Sequence, residues 1–276
     1  MRLDGDGDRA SLSRQGSTLA QRLVRAKHKI AEAGAPFELP APDALPERME
    51  AVLSTLEIAY SKVHEDAGGA GAHAGYAAEM LHLSRLLANL APWSGEAFAL
   101  AALIRYAEAR RPARVDAEGA MIPLAHQAPE AWRRDLIAEA DDLLAEAARL
   151  EPSAVRTLQA QLQQVWCARR TLDDPPPWRA VLALYDRLLQ RRADPVVRLN
   201  RAVALAEVKG AAVALNEVES LASPETADFL PYHAVRADLL ARVGDAEGAR
   251  AAYARALSLG PNPAEARWLA RRAARL

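Results

Sequence analysis

Three groups of residues have types and spacing that could do chemistry. His64, Glu65, His73, Glu79 and His82 bracket the stretch AGGAGAHAG (67–75), and imidazole plus carboxylate is a donor set for a divalent metal. No two of these histidines stand at i, i+4, and a Gly/Ala stretch positions nothing tightly, so satisfied or solvated side chains are expected there, with no metal and no cofactor. The same stretch is not a phosphate loop, because it lacks the terminal Gly-Lys-Ser/Thr and no strand precedes it. Serines are present, but no Ser, His and carboxylate set can be argued from spacing, so the expectation is no catalytic residue and no enzyme.

The second group is basic. Between Arg9 and Ala31 stand four arginines, two lysines and no acid. Arg22, Arg25 and Lys29 fall at i, i+3, i+7 on one helical face, and with Gln21 and Lys27 they offer donors for base edges and phosphates. The bland alternative is a solvated basic helix docked through Leu19, Leu23 and Ile30. The third group is polar: Arg110, Arg111, Arg114, Asp116 and Gln127 surround the longest irregular segment, 111–130, while Asn200 and Arg201 interrupt an apolar helix. These seven are candidates for a protein-contact surface. The competing reading is a network that folds the loop onto the helices and, for Asn200 and Arg201, bonding between repeats.

Composition limits what these groups can serve. The chain has 276 residues, 51% of them apolar and only 5% aromatic, with alanine and leucine dominant, which favours helices packed at short distance. The net charge of −1 supplies no global field for nucleic acid or membrane, so any such contact must be local. Cys167 is the only cysteine, no intrachain disulfide can form, and a cytoplasmic setting is expected. No stretch approaches the roughly 18 apolar residues of a membrane span.

The elements that must position the candidates follow from periodicity. Residues 1–17 are polar and Gly-rich, without period, and read as a disordered leader. A helix over 18–34, capped by Ser17-Thr18, precedes the Pro-rich linker 35–46. From 47 to 276 the pattern is helical throughout: Met49, Val52, Leu53, Leu56 and Tyr60 at core spacing, then helices about 75–90, 95–110, 131–149, 153–171, 178–190, 195–210 and 211–222. In YHAVRADLLARVGDAEGARAAYARALSLGPNPA (232–264), Ala237, Ala249 and Ala256 let two helices approach closely, with Gly244-Asp245 at the turn. This is the spacing of one tetratricopeptide hairpin, and Gly210 precedes Gly244 by 34 positions, one repeat period. The fold class expected is all-α: an array of antiparallel helical hairpins, a tetratricopeptide-like solenoid, with a basic N-terminal helix.

Two blocks together carry a resemblance. TLAQRLVRAKHKI (18–30) resembles the promoter-reading end of region 4 in extracytoplasmic-function RNA polymerase sigma factors, in the subgroup with a tetratricopeptide-like C-terminal extension. FELP and LPERMEAVL (37–53), ARRPARVDAEG (109–119), WRAVLALYDRLL and DPVVRLNRAVALAE resemble that extension. The resemblance implies a transcription regulator whose helical domain binds protein: sigma regions, RNA polymerase or a signalling partner. It implies promoter DNA contact only through residues 18–30. Region 2 and the rest of region 4 have no counterpart here, so the chain is not expected to initiate transcription unaided. The pattern also departs at Gln127-Ala128-Pro129, at Tyr60-Ser61-Lys62-Val63-His64 and at Trp166, where the family usually has Gln-Asp-Arg, an Asn-Glu-Gly-Tyr run after Phe, and histidine. The alternative is a stand-alone helical-repeat scaffold without any DNA or polymerase role.

Overall fold

Alanine- and leucine-rich segments punctuated by Pro, Gly and Asx residues have one way to bury their stripes, which is to pack helix on helix. The computed structural model describes residues 44–65 and 76–276, with Glu32 and Ala41 besides. Among them are eleven α-helices and no strand, only the isolated bridge Val115–Met121. They are α1 (Leu45–Glu65), α2 (Tyr76–Leu90), α3 (Gly95–Ala109), α4 (Arg134–Leu150), α5 (Val155–Cys167) and α6 (Trp178–Arg191). Then follow α7 (Pro195–Lys209), α8 (Ala211–Glu219), α9 (Leu230–Arg242), α10 (Ala246–Ser258) and α11 (Pro263–Ala273). The leader, most of the linker and the basic helix expected over 18–34 lie outside the described residues, apart from Glu32, which is helical. The chain divides into two units, residues 1–49 and 50–276.

The array is built by sequence neighbours. From α2 onward each helix packs on the next, and α3 also packs on α5 and α7 on α9, so alternate helices share a layer. This is a helical repeat array, as the periodicity implies. Caps set the helix starts: Ser94 accepts from the Ala97 N–H, Asp194 from Val197, Asp245 from Gly248, and Asn262 from Ala264 and Glu265. Gly210 and Gly244 turn the chain at φ +97° and +90°, a left-handed conformation that a Cβ resists. Ala237, Ala249 and Ala256 are fully buried between α9 and α10, which is the close approach their size permits.

Three apolar clusters fill the interior. One joins α2–α5 around Tyr106, Trp132 and Leu143, a second joins α5–α9 around Leu158, Trp166, Leu199 and Val218, and a third joins α9–α11 around Tyr253 and Leu269. None of the three contains a residue of α1.

Residues 111–130 are ordered by three 3-10 turns and by distant contacts. Leu124 and Ala125 pack against the second cluster. The loop tip reaches the last helix: the Met121 N–H donates to the Ala264 carbonyl (3.0 Å), Arg267 to the Gly119 carbonyl (3.2 Å), and Arg271 pairs with Asp116 (2.5 Å).

Candidate helix-binding face

Along α1, Glu50, Leu53, Glu57, Tyr60 and His64 recur at i, i+3, i+7, i+10 and i+14, one face of a helix. Leu53 and Tyr60 are buried; Glu50 and Glu57 bond α5, Tyr60 bonds α3, and His64 meets Arg114 just beyond α3. Arg156, in the first turn of α5, is the centre of this meeting. Its guanidinium donates to Glu50 (2.9 and 3.0 Å) and Glu57 (3.1 and 3.2 Å) on α1, and to Glu96 on α3 (2.7 Å). The Arg156 side chain is 9% exposed while those of Glu50 and Glu57 are 58% and 48% exposed, so one buried cation is served by carboxylates that keep half their hydration. Burial opposes its charge, but hydrogen bonds to Glu50 and Glu96 and the field of Glu57 outweigh it and raise its pKa. The same contact lowers the carboxyl of Glu50.

Further along, the Tyr60 hydroxyl donates to Glu108 Oε1 (2.8 Å), and Arg111 grips the same carboxylate, Nε on Oε2 (2.7 Å) and Nη2 on Oε1 (2.6 Å). Burial, then Glu108, raises the Tyr60 phenol. At the end of α1, Arg114 Nη1 donates to the His64 carbonyl (2.7 Å) and lies 3.1 Å from His64 Nδ1. A guanidinium only donates, so Nδ1 accepts and His64 is neutral, with its proton on Nε2. Burial and then Arg114, Arg110 and Arg111 push His64 down to about 3, and burial brings Arg114 down to about 10.

His64 therefore gives the fold a pH dependence. Unfolded, it takes a proton near 6.5; folded, only near 3. Its contribution is complete above about pH 6.5 and is lost progressively as pH falls from there towards 3. The thermal midpoint is expected to fall between pH 7 and pH 5, above the carboxylate range, and His64→Gln is expected to flatten that slope. Equal slopes in the two proteins would assign the effect to other groups.

The expected contact residues fall in three places. Arg110, Arg111 and Arg114 lie at and beyond the end of α3, where Arg110 Nη1 donates to Cys167 Sγ (3.4 Å) and the other two join the α1 contacts just given. Asp116 accepts from the N–H groups of Glu118 (3.0 Å) and Ala120 (2.8 Å), and those bonds together with Arg271 hold its carboxyl low. Gln127 Nε2 donates to the Ile122 carbonyl (3.0 Å), folding the loop on itself. Arg201 bridges Asp186 (2.7 Å) and Glu217 (2.6 Å), joining α6, α7 and α8. Asn200 beside it is exposed, so the inter-repeat bonding expected of the pair belongs to Arg201. Gln21, Arg22, Arg25, Lys27 and Lys29 lie outside the described residues, as do His73 and the side chain of Glu65. Among the described residues no three His, Cys, Asp or Glu side chains cluster as metal ligands. Glu79 and His82 are exposed on α2.

The residues that sequence reasoning missed are Glu50, Glu57, Glu96, Glu108 and Arg156. A signal for the α1 members was present, since two glutamates seven apart sit on the same stripe as Leu53 and Tyr60. Nothing local marked Arg156 as their partner.

The model of a family of unknown function (DUF6596) matches residues 48–148, from the start of α1 almost to the end of α4. An uncharacterized protein of Rhizobium meliloti (strain 1021) is 34% identical over 254 residues, 92% of this chain and 60% of that protein. The chain thus spans about 60% of the length of the curated relative it matches. No helix among the described residues is long and apolar enough to cross a membrane.

Proposed function

We propose that the chain is a sigma-factor-related transcription regulator whose helical array binds a protein partner: sigma regions, RNA polymerase or a signalling protein. The observation that supports this best is the pair α3 and α5, which carries a helix, α1, through side-chain bonds while the three apolar clusters contain no residue of it. A pair of that kind fits a helix-in-groove mode of recognition. The blocks at 18–30 and 37–53 that resemble the sigma subgroup supply the link to transcription, and promoter DNA contact belongs to Gln21, Arg22, Arg25, Lys27 and Lys29. The regulator works by binding, not catalysis, and a reducing cytoplasm goes with its single buried thiol.

Retention of purified core RNA polymerase on the immobilised full chain tests the reading. Retention above a bare-resin control is expected. Its absence would leave the stand-alone scaffold.

A further inference from the structure

The contacts of α1 differ in kind from those of every other helix. Helices α2 to α11 pack closely in sequence order, whereas the bonds that join α1 to α3 and α5 are made between side chains. It contributes no residue to any of the three apolar clusters, although its Leu53 and Tyr60 are buried. Two of the polar groups it touches also have partners of their own on the array: Arg156 holds Glu96, and Glu108 is gripped by Arg111. Taking α1 away would uncover Leu53 and Tyr60 on α1 itself, and on the array a face on which Arg156 keeps Glu96 and Glu108 keeps Arg111.

We propose that this face of α3 and α5 is a helix-binding site, that α1 is its resident, exchangeable occupant, and that its exchange partner is an acidic amphipathic helix. The occupant shows what fits. Carboxylates at i and i+7 meet the buried fork of Arg156, the leucine at i+3 is buried on the same stripe, and a hydroxyl at i+10 reaches Glu108. A largely buried guanidinium fork rewards paired carboxylates and penalises a cation at either position. The inference deepens the protein-binding reading above and rests on it only for the existence of a partner; polymerase retention can fail while helix exchange stands, and the reverse.

The probe is a fluorescein-labelled peptide of residues 44–65, titrated by anisotropy into the full chain carrying Glu50→Lys and Glu57→Lys, which releases its own α1 by charge. Saturable binding is expected, weakened at least tenfold when Arg156→Glu is added. A peptide carrying the same two lysines is expected to bind the Arg156→Glu chain with Glu50 and Glu57 intact, and not the wild-type chain. No saturable binding to an acceptor that keeps wild-type helix content by circular dichroism would overturn the proposal, as would equal binding of the two peptides. Should the variants fail to fold, amide exchange in the unaltered chain decides. Amides of α1 are expected to exchange at least tenfold faster than those of α3 and α5, and uniform protection across the three helices would sink the idea.

Discussion

Replacing Arg169 with alanine is expected to lower the denaturation midpoint steeply and to open residues 111–130 to proteolysis. Arg169 is buried just beyond α5, and its guanidinium donates to three carbonyls: Asp174 through Nε (3.0 Å), Ala125 through Nη1 (3.0 Å) and Leu172 through Nη2 (3.2 Å). Two of these belong to the turn before α6 and the third to the long loop, so one side chain fastens two irregular segments to the end of a helix. Truncation removes three charge-assisted bonds and leaves their acceptors short of a donor, a loss of about 3–5 kcal/mol. Lysine should rescue little, since a single ammonium cannot span the three directions of the planar fork. Equilibrium denaturation with an unchanged slope, together with limited proteolysis, checks both parts. An unaltered midpoint would mean that the packing of Leu124 and Ala125 and the bonds to α11 hold the loop without Arg169.

Leu199→Ala and Asn200→Ala should differ widely although the residues are neighbours. Leu199 is 2% exposed in the cluster that joins α5 to α9, where loss of a leucine side chain leaves a cavity that the packed helices cannot readily close. The expected loss is about 2–5 kcal/mol, enough to consume much of the stability of a helical array. Asn200 points into solvent, and its replacement should stay within about 0.5 kcal/mol of wild type. Thermal and denaturant unfolding of the two variants measures the gap. A large effect at Asn200 would mean that its amide makes a bond within the array itself.

Tyr106 shows the same separation between what is local and what is not. Its place in an apolar helical run marks it as core, and it is fully buried. Its hydroxyl donates to Asp141 on α4 (2.5 Å), which also accepts from Gln164 on α5 (2.9 Å). No spacing in the sequence ties those three together.

The amino-acid sequence by itself determined the helices, their ends and the last hairpin. Those features depend on neighbours three, four or seven positions away: apolar period, Asx and Ser caps, glycine at the turns and alanine where two helices touch. Period alone also placed Leu53 and Tyr60 on one side of α1. Only the tertiary structure decided which of many equivalent charges meet. With 35 basic and 36 acidic side chains, Arg156 could have served any acid within reach, and its pairing with Glu50 and Glu57 exists because α1 lies over α3 and α5. The docking of the loop tip on α11, between Asp116 and Arg271, likewise joins positions 155 residues apart. Long-range contacts of this kind arise from the path of the whole array, and side-chain type records no trace of that path.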